Sequence, residues 1–348
     1  MTFKNKLIAR SKALVAGNNI LLVVTIMLFF LLYIIGMLFV PRANFTSPQT
    51  FFTILKNNAG LFVITASMTL VMIVGGIDIS VGSFVAVSCT LTAFLIERQG
   101  FNMWQAFAVV IICGLMYGAL EGLLIAYLKI QPFIVTLAGL ILWRGMTSVI
   151  SEQGINIENE QFKEFANAQI EMPFTYINKK GNAVHPYVFW YVVYAIIIVV
   201  LVYLLLRHTR FGRNIYAVGG NEQSALLLGI NVRRTKFFAY VTNGFLISLG
   251  SMIYCFVSSA GSINVAVGVE MDAIAGSVIG GTLLTGGVGN VFGSLFGVLI
   301  RGIISLFITS SGKLDVWWAR IAISALLALF IILQSVVVSI REKNKKGK

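Results

Sequence analysis

Residues 20–40 read ILLVVTIMLFFLLYIIGMLFV, an apolar run without a single charged side chain. A helix of about 20 apolar residues crosses the hydrocarbon core of a bilayer. Lys4, Lys6, Arg10 and Lys12 precede the run, as basic residues precede the apolar core of a secretory signal. The run, however, is about twice the length of such a core and has no small-x-small cleavage site before Pro41. It is expected to stay in place as a first membrane span.

The rest of the chain repeats this pattern. Of 348 residues, 58% are hydrophobic and 11% are charged, against about 25% charged in a soluble domain. That leaves too little polar surface to cover a water-facing globule. Ten spans are expected, at residues 20–40, 58–75, 80–96, 104–128, 132–151, 187–206, 236–258, 270–285, 289–311 and 316–340. The eighth is short and suits a half-helix or re-entrant segment. The fold class expected is therefore an all-α polytopic membrane protein with about ten transmembrane helices, forming one permease domain.

Orientation follows from the basic residues, which concentrate on cytoplasmic loops. More than half of the 26 Lys and Arg lie in segments 1–19, 207–236 and 341–348, which are placed inside. Loop 152–186 carries Glu152, Glu158, Glu160, Glu164 and Glu171 against Lys163, Lys179 and Lys180, and is placed outside. Ten crossings return both termini to the cytoplasm. The net charge of +13 then reflects topology and contact with anionic lipid headgroups. A nucleic-acid role would need a basic folded domain, which the sequence lacks.

Two glycine rails stand out, Gly114-x3-Gly118-x3-Gly122 and Gly289-x3-Gly293-x3-Gly297. Residues four apart share a helix face, so each rail lets another backbone approach closely. Gly118-Ala-Leu-Glu-Gly-Leu-Leu-Ile also resembles Gly293-Ser-Leu-Phe-Gly-Val-Leu-Ile, about half the chain away. Five spans per half would make an inverted 5+5 repeat, an arrangement common in transporters.

Catalytic signatures are missing. No phosphate-binding loop and no H-E-x-x-H occur, Cys89, Cys113 and Cys255 lie inside apolar runs, and His185 and His208 are far apart. Neither a metal site nor a cofactor is expected, and the chain is not read as an enzyme. The segment Gly75-Gly-Ile-Asp-Ile-Ser-Val-Gly-Ser83 interrupts apolar sequence. Non-helical backbone at membrane depth must be buried in protein or line a wet cavity. Gly75, Gly76, Asp78 and Ser80 are thus pathway candidates, with an ordinary turn between spans as the other reading. Glu121 and Arg301 flank rail glycines, where intramembrane charges pair or line a pathway. Arg320, beside Trp317 and Trp318, reads as an interfacial anchor.

In the polar loop 207–235, Asn221 suits a helix N-cap, Glu222 puts negative charge in the first turn, and Gly229 suits the C-terminal stop. Ala225 to Leu228 are all apolar, more than a short exposed helix needs. Either the helix docks on a partner or it packs back on its own membrane domain.

Several segments together resemble bacterial ABC sugar permeases of the ribose and galactofuranose type. They are Gly75–Ser83 (GGIDISVGS), Phe133–Gly145 (FIVTLAGLILWRG), Thr209–Asn221 (TRFGRNIYAVGGN) and Val269–Gly297 (VEMDAIAGSVIGGTLLTGGVGNVFGSLFG). Lys313–Ile323 (KLDVWWARIAI) looks like one of the paired permeases of the galactofuranose system. The resemblance implies a permease subunit of a binding-protein-dependent importer in the bacterial cytoplasmic membrane. Its implied partners are a second, different permease chain, a cytoplasmic ATPase that hydrolyses the ATP, and an external sugar-binding protein. Gly219, Gly220, Asn221, Glu222, Ser224, Leu227 and Gly229 then fall in the ATPase-coupling loop. The chain departs from the EAA-x3-G motif of other ABC permeases, and Met271 stands where the family often has leucine. Related permeases carry nucleosides, so a non-sugar cargo stays open, as does a stand-alone secondary transporter.

Overall fold

A computed structural model describes residues 20–177, 181–312 and 315–346. The basic segment 1–19, Lys179, Lys180, Lys313, Leu314 and Lys348 lie outside the described residues. The helices are α1 Ile20–Phe39, α2 Pro48–Ile73, α3 Val81–Glu97, α4 Met103–Ala126, α5 Pro132–Ile150, α6 Glu160–Asn167, α7 Trp190–His208, α8 Arg210–Gly220, α9 Glu222–Leu227, α10 Val232–Ser258, α11 Val269–Ile279, α12 Val291–Ser311 and α13 Val316–Lys346. Among the described residues, eight are long and apolar enough to cross a membrane; α3 is apolar but shorter, and α11 has only 11 residues. The protein is an all-α polytopic membrane protein.

Local sequence sets the helix ends. Pro48 opens α2 well before the expected start at residue 58, and Pro132 opens α5, because proline presets the first helical φ and needs no hydrogen-bond acceptor there. A reciprocal capping box opens α4: Asn102 Oδ1 accepts the Gln105 amide at 2.8 Å, and Gln105 Oε1 accepts the Asn102 amide at 3.1 Å.

The loops gather at two ends. At one, the Gly287 amide donates to the Ile73 carbonyl at 2.8 Å, and Lys129, Gly75 and Arg233 line one cavity. At the other, β1 (Ile155–Asn156) pairs with β6 (Ala260–Gly261), and β2 (Gln169–Glu171) pairs with β5 (Tyr187–Phe189). There the Glu97 carboxylate accepts the amides of Glu158 and Asn159 at 2.8 and 2.9 Å, and Phe162 of α6 stacks on Phe256. Arg320 also joins this strand end, donating to the Val267 carbonyl at 3.3 Å while its guanidinium lies over the Trp317 ring. Successive loops alternate between the two ends, so the short α11 and the extended stretch after it together make one traverse.

That traverse is broken at Gly280 and Gly281, the latter at φ 93°. The freed carbonyls find side-chain partners. Thr25 of α1 bonds the Ile279 carbonyl at 2.5 Å, and Gln334 of α13 donates to the Val278 and Thr282 carbonyls at 2.9 and 3.3 Å. Irregular backbone away from water persists only with such internal partners.

Both rails serve as packing grooves. A methyl carbon on Gly118 would lie 2.3 Å from the Tyr240 carbonyl oxygen of α10, and one on Gly297 would lie 2.1 Å from the Gly276 oxygen of α11. When α1–α5 are aligned with α7, α10, α11, α12 and α13, several packed pairs match: α4 on α10 with α12 on α2, α3 on α10 with α11 on α2, and α3 on α5 with α11 on α13. Inverted halves would pack this way. The rails break the correspondence, since one meets α10 and the other α11.

Candidate functional site

The break between α2 and α3 carries a buried polar cluster. Asp78 is 0% exposed and lies just ahead of the α3 N-terminus. Its Oδ1 accepts the Ser80 amide at 2.9 Å and the Ser80 hydroxyl at 2.5 Å. Its Oδ2 accepts Tyr117 OH of α4 at 2.5 Å and the Asn243 amide of α10 at 2.6 Å. Ser67 of α2 closes the network by donating to Asn243 Oδ1 at 2.5 Å. Four helices are therefore fastened around one carboxylate, and the α3 N-terminus favours its charge.

Glu121 joins the cluster through the Ser80 hydroxyl at 3.1 Å, but its Oε2 is buried without a partner among the described residues. Of the pathway candidates, Asp78, Ser80 and Glu121 thus come together. All three are buried within the chain. Gly75 and Gly76 lie apart from it, lining a cavity of about 430 Å³ with Lys129, Glu222, Lys236 and Tyr240. Arg301 is elsewhere: it forms an ion pair with Asp272 at 2.6 Å and donates to Asn58 Oδ1 at 3.0 Å, tying α12 to α11 and α2. Tyr117, Tyr240 and Asn243 went unmarked in the sequence. Asn243 had a readable signal, an amide inside an apolar span where an unpaired polar group is costly.

Loop 207–235 folds into α8 and α9. Asn221 caps α9, its Oδ1 accepting the Ser224 amide at 2.7 Å, and Gly229 follows at φ 79°. Ala225 is buried against the bundle, and Glu222 pairs with Lys236 of α10 at 2.6 Å. Leu227 and Leu228 face away, Leu227 being 89% exposed, while Leu226 borders the cavity with Gly75 and Glu222. The helix is anchored on its own domain through one small residue and one ion pair, and Leu227 and Leu228 are uncovered.

Gly219 and Gly220 end α8; Gly219 is turned into the bundle, while Gly220 is exposed. A methyl carbon on Gly219 would lie 1.7 Å from the Ile73 carbonyl oxygen and 2.8 Å from the Gly287 nitrogen; one on Gly287 would lie 2.5 Å from Gly220 Cα. Tyr216 of α8 donates its hydroxyl to the Gly289 carbonyl at 2.9 Å. Burial pushes the Tyr216 phenol above its ordinary range, so it remains a donor at physiological pH. The end of α2, the end of α8 and the link between α11 and α12 meet in this junction.

Among the described residues, a bundle of eight membrane-length helices, a traverse broken at Gly280 and Gly281, and the helix pair α8 and α9 at one end suit a transport protein of the permease class. The family model described as branched-chain amino acid transport system / permease component matches residues 50–333, and the chain belongs to this family of bacterial ABC transporter permeases. The chain is 39% identical to the inner membrane ABC transporter permease protein YjfF of Escherichia coli, over 91% of this chain and 92% of that one. It is 34% identical to the fructose import permease protein FruG of Bifidobacterium longum, over 82% of each chain. The ribose import permease protein RbsC of Escherichia coli is also 34% identical, over 79% of this chain and 82% of its own. No solved structure matches. The protein is a multi-pass inner membrane protein and a permease subunit of an ABC importer.

Proposed function

We propose that the chain forms one half of the translocation unit of a binding-protein-dependent importer for a small sugar of the ribose or galactofuranose kind. A second, different permease chain completes the unit. An external sugar-binding protein delivers the solute, and a cytoplasmic ATPase drives the cycle. The observation that carries this reading is the capped helix α9, with Leu227 and Leu228 uncovered on one side and a glycine junction to the α2–α3 break and the α11–α12 link on the other. Relatives named as ribose and fructose import permeases support sugar as the cargo. The family's description favours a second reading, in which the solute is an amino acid.

Cargo choice in such importers rests mainly on the external binding protein. Calorimetric titration of the cognate binding protein with ribose, galactose, galactofuranose, a nucleoside and leucine separates the readings. Binding of a monosaccharide alone is expected; binding of leucine or a nucleoside without any monosaccharide would overturn the sugar assignment.

The glycine end is assigned to the cytoplasm because Arg207, Arg210, Arg213, Arg233, Arg234 and Lys236 lie there. Both Glu164 and Gln223 are exposed, so single cysteines at these positions report the two ends. In intact cells a membrane-impermeant maleimide is expected to label position 164, and to label position 223 only after lysis. Labelling of both in intact cells would contradict the ten-span orientation.

A further inference from the structure

We propose that Gly219 and Tyr216 are positioning residues that carry the movement of the ATPase-docked helix into the break between α2 and α3 and into the link between α11 and α12. The inference rests on the reading of α9 as the ATPase-docking helix. α8 and α9 are separated only by the cap residue Asn221, so a displacement of α9 moves the C-terminal end of α8. That end presses the Gly219 backbone on the Ile73 carbonyl, which also accepts the Gly287 amide. Ile73 ends α2, ahead of the break that leads to Asp78. Gly287 lies in the link after the broken α11.

One hydrogen bond therefore joins the break and the link, and Gly219 sits against it with no room for a side chain. Tyr216 holds the start of the next helix from the same face of α8, through its bond to the Gly289 carbonyl. Gly286, at φ 87°, completes the contact: a methyl carbon on it would lie 3.0 Å from both Gly75 Cα and the Gly219 oxygen. Gly75 and the glycine pairs 219–220 and 286–287, far apart in sequence, thus meet backbone to backbone. Close-packed backbones without side chains transmit displacement and can slide or rock as a unit.

Gly145, in α5 and outside this junction, supplies a control for the glycine-to-alanine change, since a methyl carbon on it would meet nothing within 4 Å. The test uses the full importer in proteoliposomes and compares ATP hydrolysis, sugar uptake and retention of the ATPase for Gly219→Ala, Gly145→Ala and Tyr216→Phe. Overpacking at 219 is expected to lower uptake per ATP hydrolysed by about tenfold or more with the ATPase still bound, while Gly145→Ala behaves as wild type. Loss of one hydrogen bond in Tyr216→Phe is expected to lower the same ratio about fivefold. A wild-type ratio for Gly219→Ala, or an equal fall for Gly219→Ala and Gly145→Ala, would overturn the proposal. Should Gly219→Ala fail to reach the membrane, an unchanged ratio in Tyr216→Phe would overturn it. Release of the ATPase by Gly219→Ala would also overturn it, since the residue would then serve docking. Failure of the docking reading itself shows separately, as an ATPase that binds the Leu227→Asp protein normally.

Discussion

Replacing Leu227 with Asp is expected to abolish ATP-driven uptake and release the ATPase while leaving the chain in the membrane at its normal level. Leu227 is 89% exposed on a helix outside every span and touches nothing that holds the bundle together. The variant should therefore fold. In the assembled importer the same side chain is proposed to enter an apolar groove of the ATPase. Burying a carboxylate there without a partner costs several kcal/mol, on the order of the ~2–4 kcal/mol that a single interface anchor carries. Co-purification of the ATPase and uptake of labelled sugar measure the effect. Normal values for both would mean that α9 does not dock through this row. Loss of the chain from the membrane would mean that the leucines pack within the permease itself.

Asp78→Ala is expected to act by a different route, through the fold. The substitution leaves the Asn243 amide and the Ser80 amide without their acceptor in a region sealed from water. Each such orphaned donor costs about 1–3 kcal/mol. The Tyr117 hydroxyl keeps the Ser80 hydroxyl as a partner at 2.7 Å, which limits the loss. A net loss of about 3 kcal/mol is expected, seen as a lower melting temperature of the purified protein together with lost uptake. An unchanged melting temperature with lost uptake would instead place Asp78 on the solute pathway. Tyr117→Phe should cost less, because it removes one donor and leaves Asp78 three.

These residues differ in how much the sequence disclosed about them. Long apolar runs and the glycine rails specify helices and close contacts through periodicity and residue size alone, and α4 and α12 follow directly. The half-helix at 269–279 was legible because its apolar stretch is short. Asn221 and Gly229 announced α9 through capping chemistry that acts within a few residues. The partners of Asp78 were less legible, since Tyr117 and Asn243 reach it from helices 39 and 165 positions away. The meeting of Gly75 with the glycine pairs 219–220 and 286–287 is likewise a property of the assembled bundle: a glycine pair alone reads as a turn. Loop 152–186 gave only its charge, yet Phe162 and Phe165 pack on Phe256 and Trp190 to fold it down. Short strand pairs held by distant segments carry little local pattern to read.

Transport driven by a partner's ATP hydrolysis is tested most directly in proteoliposomes that hold the chain, its second permease and the ATPase, with the binding protein and labelled sugar outside. Accumulation is expected when ATP is enclosed with the ATPase, and none when a proton or sodium gradient replaces ATP. Accumulation by the permease chains under an ion gradient, with ATP and ATPase absent, would contradict the assignment and make the protein a secondary transporter.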